Sequence, residues 1–192
     1  MKTLIIYANP DKTGYCGQYL KELEKKLKEK KQNYEIIDLY EDKFNPVLSL
    51  EEHYTSGHKK ISKEILNYQK KITESNSLIF IYPNWWNSVP AILKGFFDRT
   101  LTPGFAYKYI NKIPNQLLKN KKAIILSSTG APKIYDFFIM KSRFIKTVKI
   151  NTLNFCGIKT KSFVIYSANK LTDKHKQKIK KKVEKGIYYL FK

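Results

Sequence analysis

Three short stretches carry side chains that could do chemistry. The first, "ANPDKTGYCGQ" from Ala8, places a hydroxyl at Thr13 and glycines at 14 and 17, just where a helix begins. A helix start offers unpaired backbone N–H groups and the positive end of the dipole, so it favours an anion. Gly14 and Gly17 permit close approach. The stretch has neither the GxxxxGK[ST] pattern of a triphosphate loop nor the GxGxxG of a dinucleotide fold. Two readings stand, a phosphate cradle or an ordinary capped helix start. Cys16 could be a thiol activated by the helix end, but no basic partner is evident and a small filler residue is favoured. The second stretch, "YPNWWNSVP" from Tyr82, sets Trp85 and Trp86 among asparagines, outside any periodic segment. The third, "SSTGAPKIYDF" from Ser127, brings hydroxyls at Ser127, Ser128 and Thr129, a free backbone at Gly130 and a phenol at Tyr135. Many turns look like it in isolation.

Five apolar runs must position these stretches: "TLIIYA", "YEIIDLY", "SLIFIY", "KAIILSS" and "SFVIYS". Near-continuous runs of this length, rich in isoleucine, read as strands buried on both faces. Helical stripes separate them. Leu20, Leu23 and Leu27 share one; Ile61, Ile65, Leu66, Tyr68 and Ile72 another; Ile92 pairs with Phe96 and Leu93 with Phe97 behind Pro90; Ile179, Val183, Ile187 and Leu190 close the chain. The alternation predicts an α/β fold, a parallel sheet with helices on both faces, in one domain over 1–192. Five strands in one domain favour the order 2-1-3-4-5. In such sheets ligands lie past the strand carboxyl ends where the order reverses, as the flavin does in flavodoxin. The three chemical stretches are strand exits and should converge there. Together they describe a site for a phosphate tail joined to a flat ring, with aromatic side chains and backbone amides around the ring. That is the logic of a flavin site. The long irregular segment "YEDKFNPVLSLEEHYTSGHKK" is expected to be functional or interfacial.

Composition narrows the classes. The chain has 192 residues, 42% hydrophobic and 14% aromatic, enough for a core without metal or disulfide staples. The net charge of +21 invites a nucleic-acid reading, but 35 of the 37 basic residues are lysine, not the planar arginine fork that reads bases. Solvated faces and a bias toward AT-rich codons account for the lysines, and no nucleic-acid partner is expected. The field should still draw anionic cofactors and substrates. Two distant cysteines give neither metal spacing nor a disulfide framework. No apolar run approaches a membrane span or a signal peptide, so no integral membrane segment is expected and a reducing cytoplasm is the expected location.

At this point the residues carry a resemblance. "VPAILKGFFDR", then "TPGFAYKY", then "LNFCG" resemble the NAD(P)H:quinone oxidoreductases of the flavodoxin-like fold, and "STGAPKIYDF" is similar to the fourth-strand loop of the bacterial branch. The match runs from the first strand to the last. It implies a bound flavin, FAD or else FMN, and NADPH or NADH as reductant. It also implies a homodimer with two interfacial sites and two-electron ping-pong transfer to a quinone-like or other electrophilic acceptor. By motif match, Asn9, Thr13, Tyr15 and Cys16 fall in the loop around the flavin phosphate. Pro83, Asn84, Trp85 and Trp86 line the ring; Ser128, Thr129 and Gly130 face its pyrimidine side. Tyr135 approaches the ring's carbonyl edge, where negative charge builds on reduction. Tyr107 and Tyr109 match substrate-pocket aromatics contributed across the dimer.

Departures from the family pattern sharpen the reading. Asn9 stands where many members have histidine, and Cys16 where asparagine is usual. The tyrosine–histidine pair of the mammalian enzymes keeps Tyr135 but loses its histidine, which leaves solvent or Tyr135 as proton source. His53, His58 and His175 read as surface residues. Three other functions fit parts of the pattern: a regulatory partner of a potassium-efflux membrane protein, as some relatives with this fold are; a flavin electron carrier; and a basic nucleic-acid binder. Carriers are typically acidic, and the nucleic-acid reading rests on charge alone.

Overall fold

A computed structural model describes residues 2–54 and 60–192. Its main sheet is built from β1 (Lys2–Tyr7), β2 (Asn33–Asp38), β3 (Ser77–Pro83), β6 (Lys122–Ser128) and β7 (Lys159–Ile165). All four pairings are parallel, and the order is β2-β1-β3-β6-β7, the expected 2-1-3-4-5. The reversal of order, between β1 and β3, thus sits where the sequence placed it.

The isoleucine runs are buried on both faces because helices cover both. Successive residues of β1 point opposite ways. Leu4 and Ile6 join a core with Ile65, Tyr68 and Phe96, from α2 (Lys63–Glu74) and α3 (Ala91–Thr100). Ile5 and Tyr7 join another with Leu23, Leu27, Ile179 and Val183, from α1 (Tyr15–Glu29) and α6 (Asp173–Phe191). Stripes at helical spacing therefore meet strand residues at spacing two. Two stripe residues depart: Ile61 precedes α2, whose N-cap is Ser62, and Leu66 is half exposed. It follows Ile65 directly, and a step of one residue turns it about 100° off the buried line.

The last strand starts three residues before its apolar run, at Lys159. It is an edge strand, and outward lysines at 159 and 161 blunt an edge that would otherwise invite pairing. A hairpin of β4 (Tyr107–Ile110) and β5 (Ile113–Gln116) lies outside the main sheet and was not anticipated. Its two-residue turn puts Asn111 and Lys112 at positive φ, the geometry of a type I′ turn, without the glycine that marks such turns in a sequence. Beyond β6 come α4 (Lys133–Phe138), α5 (Arg143–Lys146) and a π-helical segment, Thr147–Asn154.

The long irregular segment is fastened to α3. Arg99 grips both carboxylate oxygens of Glu52, Nε to Oε2 at 2.6 Å and Nη2 to Oε1 at 2.9 Å, with both side chains about 8% exposed. Its guanidinium also donates to the Asn45 carbonyl and lies 5.2 Å from the Phe44 ring centre. At Gly95 a side chain would lie 2.2 Å from the Pro46 carbonyl oxygen, so the backbone of the turn packs directly on the helix.

Candidate functional site

The loop after β1 converges on an anion, and that anion is its own. Asp11 Oδ1 accepts from the Thr13 amide at 2.7 Å and from the Thr13 hydroxyl at 2.6 Å. These bonds, the hydroxyl first, hold the Asp11 carboxyl below the usual carboxylate range. Both Thr13 donors thus point at one place, which the Asp11 carboxylate occupies. Gly17 is required here, since a side chain would meet the Lys12 carbonyl at 1.7 Å. Asn9 lies at the loop's start, its side-chain oxygen accepting from the Asp11 amide at 3.3 Å. Cys16 is buried beneath the loop, and burial pushes its thiol up to about 12. Burial outweighs the hydrogen bonds from Ser128 and Asn9 that act in the opposite direction.

The loops after β3 and β6 are laced together. The Asn84 amide donates to the Ser128 carbonyl at 2.8 Å, and its side-chain NH2 donates to Thr129 Oγ1 at 3.0 Å. Thr129 in turn donates its backbone N–H to Ile165 and accepts from Ala168. Ser128 and Thr129 are thus nearly buried while Gly130 is exposed, and a Cβ there would lie 3.5 Å from Asn169 Oδ1. Pro83 ends β3 half-buried. Trp85 and Ser88 exchange backbone bonds at 3.1 and 3.0 Å, closing a two-residue turn whose centre, Trp86 and Asn87, has φ of 52° and 55°. A tryptophan in the left-handed region is strained. The turn holds Trp86 wholly in solvent, with Trp85 partly exposed beside it. Neither belongs to a core cluster. Among the described residues, Asn84 Oδ1, Asn87 Oδ1 and the Tyr82 hydroxyl are buried with no hydrogen-bond partner.

Tyr135 lies on α4, half exposed, next to exposed Ile134, Phe137 and Phe138. A neighbouring left-handed pair, Lys141 and Ser142, is tied to the tryptophan turn through Asn87, whose side-chain NH2 donates to the Met140 carbonyl at 3.4 Å. Tyr107 and Tyr109 project from β4, their rings 5.7 Å apart, with Tyr107 also against Phe155 at 5.1 Å. Among the described residues no hydrogen bond or ring contact joins these two tyrosines to the three loops.

Two residues escaped the sequence reading. Asp11 looked like an ordinary loop acid. His175 looked like a surface residue, yet it closes a capping box with Thr172 at the start of α6. Its Nδ1 also lies 3.1 Å from the hydroxyl of Tyr15, which donates to the Lys170 carbonyl at 2.8 Å. Tyr15 is therefore buried between the first loop and the last helix. A histidine three residues after a threonine at a helix start was a legible capping signal. His53 is half-buried against Tyr54, and His58 lies outside the described residues. Among the described residues no cluster could hold a metal ion, and no helix is long and apolar enough to cross a membrane.

The residues fit a flavin. Convergent donors on a stand-in carboxylate suit its phosphate, and unpaired acceptors at Asn84 and Asn87 suit ring N–H groups. Comparison with known proteins bears on the same point. A family model described as flavodoxin-like fold matches residues 1–187. An NAD(P)H oxidoreductase of Haemophilus influenzae is 36% identical over 90% of this chain and 87% of its own. NAD(P)H dehydrogenase [quinone] 1 of Cavia porcellus is 30% identical over 81% of this chain, which spans 64% of that enzyme's length. The structure of an NAD(P)H:quinone oxidoreductase from Methanothermobacter marburgensis superposes with a TM-score of 0.86 at 25% identity, covering 97% of both chains. The chain belongs to the family of flavodoxin-like fold that holds these NAD(P)H oxidoreductases and quinone dehydrogenases.

Proposed function

We propose that the protein is a flavin-dependent NAD(P)H oxidoreductase that reduces quinones or related electrophiles. The observation that carries this reading is the convergence of the Thr13 amide and hydroxyl on one anion at the β1 exit, beside the laced β3 and β6 loops. A bound flavin, FAD in the first place and FMN in the second, would supply hydride acceptance from NADPH or NADH and two-electron delivery to the acceptor. The chain's own residues do the rest. Thr13 holds the phosphate once Asp11 swings aside. The Asn84 side-chain oxygen, the Thr129 hydroxyl and the Gly130 backbone would fix the ring edge. Tyr135 donates its phenolic proton toward the edge where negative charge builds. Its half exposure leaves it in exchange with water, which replaces the family's missing histidine as proton source.

The protein works as a homodimer in this reading. Trp86, Ile134, Tyr135, Phe137, Phe138 and Ile139 are all exposed around the site, and apolar groups so gathered mark an interface. Tyr107 and Tyr109 then face the partner's ring, which accounts for their lack of contact, among the described residues, with the three loops of their own chain. A reducing cytoplasm suits two buried free thiols. Steady-state assays with either nucleotide and a benzoquinone test the reading. Parallel double-reciprocal lines support it; intersecting lines, or no turnover with a flavin-loaded sample, contradict it.

A further inference from the structure

The positive charge is not spread along the chain. Residues 99–192 hold 22 of the 37 lysines and arginines but 3 of the 16 carboxylates, and so 19 of the 21 net charges. An even codon bias explains abundant lysine; it does not explain segregation. In the first half many lysines are matched, Lys2 and Lys71 to Glu35, Lys12 to Asp38, Lys94 to Asp98.

Along the outer edge of β7 they are not. A cleft of about 680 Å³ lies between α6 and the second half of β7. Lys133, His175, Lys178, Lys181, Lys182 and Lys185 line it over a floor from Phe163 to Ser167, with no carboxylate among the lining residues. Among the described residues none of these five lysines has an ion pair. Lys178, Lys182 and Lys185 follow each other by four and three, so one face of a rigid helix carries all three. Like charges at that spacing weaken a helix. Burial, then the charges of Lys185, Lys133 and Lys178, pull the Lys182 ammonium below its ordinary value. A multivalent counter-anion would relieve both costs. His175 lines the same cleft beside these lysines.

We propose that this cleft binds a multiply charged phosphate group, a di- or triphosphate, through Lys133, Lys178, Lys182 and Lys185. Lysine suits it. Each ammonium is a compact charge with three donors, matched to tetrahedral oxyanions and indifferent to the planar geometry that favours arginine. The cleft meets the first loop only through His175, whose Nδ1 lies 3.1 Å from the Tyr15 hydroxyl; the four lysines lie on α4 and α6, away from Thr13.

Calorimetric titration of the flavin-loaded full chain with pyrophosphate and tripolyphosphate, at fixed ionic strength, tests it. Saturable binding at one anion per chain is expected. Lys178→Gln with Lys182→Gln should weaken it about tenfold or more, as loss of charged hydrogen bonds does. The control pair Lys21→Gln with Lys25→Gln, exposed on α1 at the same spacing, should leave it within about twofold, and flavin content should not change in either. Lys133→Gln, on a different element, should weaken binding as well. No saturable binding, equal losses in both pairs, or an unaltered Lys133→Gln would overturn the site. Co-sedimentation with phosphatidylglycerol vesicles without any pyrophosphate binding would also overturn it, in favour of a lipid-facing surface.

Discussion

At the scale of single residues, Asp11 holds the two Thr13 donors that the proposed flavin phosphate would need. Thr13→Ala removes one of them. The flavin dissociation constant, read by fluorescence quenching, is expected to rise about tenfold or more, since a hydrogen bond to a charged group contributes about 1.5–3 kcal/mol. Asp11→Asn removes the competing charge and should tighten flavin binding; weaker binding in that variant would mean the carboxylate orders the loop for its ligand. Tyr107→Phe with Tyr109→Phe should change acceptor KM and leave flavin content alone. The positions of Thr13, Thr129 and Gly130 were legible because strand exits and hydroxyl-rich turns are local patterns. Asp11 was not, because a carboxylate beside an anion loop argues against an anion until its bonds to Thr13 are seen. Nor was the Tyr15–His175 contact, which joins residues 160 apart.

Elements set where these residues point. The turn at Trp86 and Asn87 keeps a tryptophan at positive φ and in water, a cost of about 1–2 kcal/mol that the folded monomer does not recover. Trp86→Gly should therefore raise monomer stability by about 1 kcal/mol in urea titrations and weaken self-association. If both stability and association fall, the side chain has a packing role within its own chain. On the opposite side of α3, the Arg99–Glu52 pair ties down the segment from Phe44 to Glu52. Arg99→Ala leaves a buried carboxylate unpaired and should cost about 3–5 kcal/mol. Arg99 holds the Glu52 carboxyl below its ordinary range. A depressed folded value means stability that is full above about pH 4.3, the unfolded value, and lost as pH falls through the folded one. Arg99→Met, which removes the cation that depresses the Glu52 carboxyl, should flatten that acid limb. Apolar stripes announced the helices, while the hairpin stayed hidden because Asn111–Lys112 lacks the usual glycine and its strands are short and exposed.

For the whole molecule, strand order was readable because five buried runs in one domain leave few ways to wind a sheet. The exposed apolar ring around the site was not, because exposure depends on which helix faces a core and which does not. Self-association at micromolar concentration, by analytical ultracentrifugation, should show a dimer, and Phe137→Asp with Phe138→Asp should return it to monomer with the fold intact by circular dichroism. A persistent monomer in the unaltered protein would break the shared-site reading, though not the flavin one. The visible spectrum of the purified protein, recorded without oxygen before and after NADH and NADPH are added separately, tests the flavin reading itself. The expected result is a yellow protein, or one that turns yellow on uptake of FAD or FMN, whose blue absorption band bleaches with at least one nucleotide. A colourless protein that takes up neither flavin would contradict it.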